Sequence, residues 1–119
     1  MSLKDAIAAE RLRKHEAEEA ARRPFDAAYA QLKSLHQQIR EDEELRDAIR
    51  GEVELLSNEL QIDPGPILIR IRVDAAGDFS MTYEIKSPTN PVIETVTVAS
   101  IPEIETAVAR LLVEYADHD

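Results

Sequence analysis

The sequence predicts one α+β domain of order ααβββα, with N-terminal helices and a C-terminal helix packed on a three-stranded antiparallel meander. Three observations carry this expectation. Apolar residues recur at helical spacing as far as Leu60; four turn formers, Asp63-Pro64-Gly65-Pro66, then interrupt that period; and from Ile67 to Ile85 apolar and polar residues alternate with the period of a strand. At 119 residues the chain has the length of a single domain. The expected divisions are a helical arm over 1–23, a long or kinked helix over 24–60, the sheet over 66–99 and a closing helix over 100–116.

In the arm, Ser2 with Asp5 three places on resembles a capping box, and Ala, Glu, Lys and Arg dominate the segment up to Arg23. Leu3, Ile7 and Leu12 are the candidates for its apolar stripe. Arg13 to Arg23 has no large apolar residue, so the arm is expected to pack by its first half or to fray. Pro24 suits the first position of a second helix, in which Phe25, Ala28, Leu32, Leu35 and Ile39 form a seam of alternating three- and four-residue spacing. The phase slips at Asp42 and resumes at Leu45, Ile49, Val53, Leu56 and Leu60, which predicts a kink or break near Glu41-Asp42-Glu43. A straight helix over 24–60 would span roughly 55 Å, so it either folds back or projects.

The hairpin register is set by its turn. A loop Ala75-Ala76-Gly77 with Gly77 in the left-handed region pairs Asp74 with Asp78, and stepping outward pairs Val73 with Phe79, Ile71 with Met81, Ile69 with Tyr83 and Ile67 with Ile85. Every pair is apolar on one face, and a slip of one residue would spoil all four. Arg70, Arg72 and Lys86 gather on the other face. Val92 to Ala99 comes next as a third, edge strand, and Ser100 with Glu103 caps a last helix whose stripe is Ile104, Val108, Leu111, Leu112 and Tyr115.

Composition excludes several function classes. With no cysteine there is no disulfide framework, thiolate metal site or thiol nucleophile, and with three glycines there is neither a P-loop nor a dinucleotide fingerprint. His15, His36 and His118 stand in no catalytic motif; His15 with Glu19 offers two metal ligands where three or four are needed. No catalytic residue, metal or cofactor is therefore expected. The N-terminal residues lack the apolar core of a signal peptide and no apolar run reaches membrane-spanning length, so a cytoplasmic setting is expected. The net charge is −10, spread as 10 basic and 14 acidic residues up to Leu60 and 4 and 10 beyond it. Such a field opposes nucleic acid and anionic lipid and favours a basic protein partner.

In outline, a long helix, a three-stranded meander and a closing helix, with the segment Ile71-Arg72-Val73-Asp74-Ala75-Ala76-Gly77, resemble the dimeric YbaB-like nucleoid-associated proteins. The resemblance assigns no residue a role. The expected function is a non-catalytic protein-interaction domain forming a homodimer, with Phe25, Leu32, Leu35, Ile39, Arg70 and Arg72 as candidate partner-binding residues. For the seam, packing on the chain's own sheet is the competing account; for the arginines, an ordinary solvated face. The rival class is a small acidic inhibitor, such as an immunity protein, antitoxin or phage-encoded antagonist, that occupies a basic nucleic-acid-binding surface. The charge leads to one direct expectation: in a filter-binding titration at physiological salt the protein leaves duplex DNA unbound into the micromolar range, and tighter binding would overturn the electrostatic reading.

Overall fold

Burial in this molecule is concentrated on one side of a five-stranded antiparallel sheet. The computed structural model describes residues 2–87 and 89–116. The elements run α1 (Leu3–Glu41), α2 (Glu43–Ile49), β1 (Glu52–Leu55), β2 (Glu59–Asp63), β3 (Ile67–Val73), β4 (Phe79–Ile85), β5 (Val92–Val96) and α3 (Ile101–Leu111), with a π-helical turn at Leu112–Ala116. The strands are ordered in space as in sequence.

The β3–β4 hairpin has the expected register, from Ile67 opposite Ile85 to Val73 opposite Phe79. Its turn is closed by the Asp74 N–H donating to the Asp78 carbonyl at 3.0 Å, and Gly77 takes a φ of 84°. Leu60 and Ile62 of β2, all four inward residues of β3 and Met81 of β4 are buried against Ala28, Leu32, Leu35 and Ile39 of α1 and Ile104, Ala107 and Leu111 of α3. The seam is therefore covered from within the chain. β5 is the edge strand expected at this point, pairing Val92 with Ile85 and Val96 with Met81.

Several expectations are corrected. The sheet has five strands, not three, because the helical period assigned through Leu60 ends at Ile49. α2 is capped by Asp42, whose side chain accepts from the N–H groups of Glu44 and Leu45, and it closes on Arg50 in the left-handed region, at φ 51°. Gly51 then lies so near the Asp63 carbonyl that a Cβ there would collide with its oxygen. Val53 and Leu55 alternate inward on β1, opposite Ile62 and Leu60. Val53, Leu56 and Leu60 also satisfied a helical spacing from Ile49, and the backbone approach at Gly51 is what ends that helix.

Nor does Pro24 begin a helix, because α1 is 39 residues long and runs unbroken through it. Proline removes one N–H and leaves the Ala20 carbonyl without its helical donor. At this exposed position water can satisfy that carbonyl. The arm neither packs by its first half nor ends at residue 23; it extends the same helix into solvent, giving principal extents of 74 × 33 × 21 Å and a radius of gyration of 19.5 Å. Leu12 also leaves the predicted stripe, since at about 100° per residue it lies roughly 140° around the helix from Ile7.

The sheet's two faces separate cleanly in the consequences of substitution. Ile71 is fully buried and Ser80, on the outer face of β4, is exposed. Ile71→Asp is expected to lose several kcal/mol, enough to unfold a domain of ordinary stability, while Ser80→Asp shifts the melting midpoint by only a few degrees. Equal midpoints in thermal melts would refute the assignment of faces.

Candidate interaction surfaces

The six candidate residues lie on two surfaces that the sheet holds apart. Leu32, Leu35 and Ile39 sit in the core between α1 and the inner face, and Phe25 is half-buried at its margin, stacked on Tyr29 with ring centroids 5.7 Å apart. Arg70 and Arg72 point from β3 to the opposite, outer face. The structure therefore does not combine seam and arginines into one site.

The outer face is a cross-strand ionic layer. Glu59 on β2 is opposite Arg72 and is the one buried charged residue among those described. Its carboxylate accepts from the Arg72 guanidinium and, at 2.6 Å, from the Gln61 amide. Asp63 is joined to Lys86 at 2.6 Å, tying β2 to the residue after β4. Arg70, flanked by Gln61 and Thr82, has its Nε buried without a hydrogen-bond partner among the described residues. Arg72 is thus outward as expected, but it is a structural partner of Glu59 rather than a free cation. Sequence reasoning missed Glu59; the signal for it lay in β2, once that segment is read as a strand.

Beside β5 a groove of about 660 Å³ opens between the sheet edge and α3, lined by Tyr83, Glu94, Val96, Glu103, Arg110 and Glu114 among others. Glu103 is committed to the helix start, accepting from the Ala99 N–H at 3.0 Å. Tyr115 stands against Tyr83, and its hydroxyl is pushed above the ordinary phenol range by their hydrogen bond first, then by burial and by Glu114. Among the described residues no three His, Cys, Asp or Glu side chains converge as a metal site, and no helix is long and apolar enough to cross a membrane. His118 lies outside the described residues.

The third surface is the arm. Leu3, Ile7 and Leu12 are 78%, 43% and 59% exposed, and nothing from Leu3 to Arg23 is buried. The last turn before the body is fixed by the β3–β4 loop, where Gly77 approaches Pro24 so closely that a Cβ would stand 2.5 Å from its carbonyl oxygen. An apolar notch of about 650 Å³ lies there, between Ala21 and Phe25 on one side and Asn58, Val73 and Ala75 on the other.

No family model matches the chain, and comparison with curated proteins and with solved structures gives no significant match. The five strands depart from the three-stranded outline on which the resemblance to the nucleoid-associated family rests.

Two titrating groups make stability pH-dependent. Burial, with the nearby Arg40 adding to it, holds His36 below its ordinary value of 6.5, while a hydrogen bond at the Val53 backbone acts in the other direction. Burial would raise Glu59, but the hydrogen bonds from Arg72 and Gln61 and the charges of Arg72 and Arg70 outweigh it, so its carboxyl lies below 4.5. In both cases the unfolded chain takes up the proton first, so the stabilisation is complete at neutral pH and is lost on acidification. Urea midpoints are expected to fall in one step below pH 6.5 and another below 4.5. His36→Asn should remove the first step. Glu59→Gln should flatten the second at a cost of about 1–2 kcal/mol at neutral pH. A wild-type midpoint that stays flat on acidification would contradict both assignments.

Proposed function

We propose that this chain is a non-catalytic protein-interaction domain that works through its projecting arm and associates with a copy of itself. The observation that carries this reading is the arm. The arm is rich in helix-forming residues, but most helices in proteins are held mainly by packing an apolar face. Here that face meets nothing in the chain, yet it keeps Leu3 and Ile7 exposed. Leu3 and Ile7 adjoin on one face of the helix, and a partner helix would cover them at the same time as it stabilised the arm. The cysteine-free composition fits a cytoplasmic setting.

Charge segregation supports a second reading, the acidic inhibitor. The arm carries six basic and five acidic residues, whereas the remainder carries eight and nineteen. A body with that imbalance complements a basic surface, and its complex would weaken steeply as salt rises. An arm-mediated apolar contact would be far less sensitive to salt.

Light scattering across a concentration series tests the leading reading. A dimer is expected, and Leu3→Glu combined with Ile7→Glu should convert it to a monomer whose sheet melts as before. Leu32→Glu should instead unfold the protein, because Leu32 is wholly buried in the core. A wild-type monomer at high micromolar concentration would remove self-association from the proposal.

A further inference from the structure

We infer that the occupant of the arm is the arm of a second copy, lying antiparallel, with Ile7 of each chain against Phe25 of the other. This rests on the reading of the arm as the interaction element and adds its partner, direction and register.

The first ground is continuity of one helical face. At about 100° per residue, Leu3, Ile7, Lys14, Glu18, Ala21 and Phe25 fall within a strip about 60° wide, on the line continued by Leu32 and Ile39. The same face is buried by the sheet at Leu32 and Ile39 and is without a partner before Phe25. An interface here therefore prolongs the existing core seam.

The second ground is charge order. Glu10, Lys14, Glu18 and Arg22 alternate in sign at every fourth residue. Parallel arms in register would set each against its like. Antiparallel arms in which paired residue numbers sum to 32 set Lys14 on Glu18, twice by symmetry, bring Glu10 and Arg22 to one height at opposite edges of the strip, and carry Leu3 and Ile7 to Tyr29 and Phe25. The apolar notch beside Phe25 is where that tip arrives. Shifting the sum to 24 pairs Glu10 with Lys14 instead, but sets Glu18 on Ala6 and Arg22 on Ser2 and forfeits the apolar contact by putting Ile7 on Ala17. In the monomer Glu10 bonds Arg13 at 2.9 Å, but both are well exposed, so that pair gives way readily.

The third ground is the bodies. Each carries the acid excess, and parallel arms would place the two side by side. The antiparallel register separates the two Pro24 positions by about 24 Å along the helix axis, given 1.5 Å per residue. That is roughly three screening lengths at physiological salt, where the Debye length is about 8 Å.

The chain has no cysteine, so engineered thiols report without background. Ile7→Cys and Phe25→Cys face each other in this register, whereas two copies of either variant alone hold their thiols about 27 Å apart along the axis. Mixing the two variants under mild oxidation should give a disulfide-linked heterodimer and neither alone should, since bonding needs Cβ atoms within about 4.5 Å. Lys14→Glu should weaken the dimer by about tenfold or more, and adding Glu18→Lys should restore it. That rescue is specific: in the alternative register the double variant would still oppose Glu10 with Glu, and parallel arms would gain nothing. Circular dichroism confirms that each variant is folded. A dimer that shows neither cross-link nor rescue would overturn this register while leaving the arm as interaction element. A monomer at high micromolar concentration would end this register together with self-association.

Discussion

Everything in the body of this protein depends on the burial of one side of β3. Ile67, Ile69, Ile71 and Val73 are among its least exposed residues, and they lie between two hairpins and beneath two helices. The strand is central in space because its neighbours in sequence pair on either side of it. Each inward residue removes apolar area from water worth about 25 cal/mol per Å², and each sits where a one-residue slip would turn it outward. The outer face carries a different load. Glu59, Arg72, Asp63 and Lys86 tie neighbouring strands across it in an ionic layer in which the Glu59 carboxylate is buried and the Lys86–Asp63 pair is half exposed.

The same strand determines where the arm leaves. The hairpin after β3 ends in Gly77, whose lack of a Cβ lets the loop abut the Pro24 backbone. Beyond that contact no layer of the body remains to cover α1. One helix thus has two environments: from Ala28 to Ile39 its apolar stripe is core, and from Leu3 to Ala21 the same line runs through solvent. Its composition changes accordingly, from Leu and Ile to Ala interrupted by alternating charges.

Much of the local structure was legible because its causes are local. Turn chemistry and period-two alternation give the β3–β4 register, and hydroxyl and carboxylate spacing marks the helix starts at Ser2 and Ser100. The break at Asp42 shows as a slip in apolar phase. β1 and β2 were illegible for an equally physical reason. Over segments of four and five residues, Val53, Leu56 and Leu60 satisfy a helical spacing as well as Val53, Leu55, Leu60 and Ile62 satisfy a strand. Gly51 and the Ser57-Asn58 pair were the signals that favoured strands.

The sequence by itself determined an acidic, cysteine-free α+β chain, the apolar face of its central hairpin and a helical apolar line from Leu3 to Ile39, which it divided at Pro24. Tertiary structure alone decided which part of that line is core and which is surface. Periodicity records that a face is apolar; it carries no information about what lies opposite. Only the placement of the sheet, reaching along α1 as far as Pro24 and no further, separates buried Leu32 from exposed Ile7. For the same reason the pairing of Arg72 with Glu59 emerged only with the fold, because cross-strand neighbours thirteen residues apart become neighbours only when two strands align.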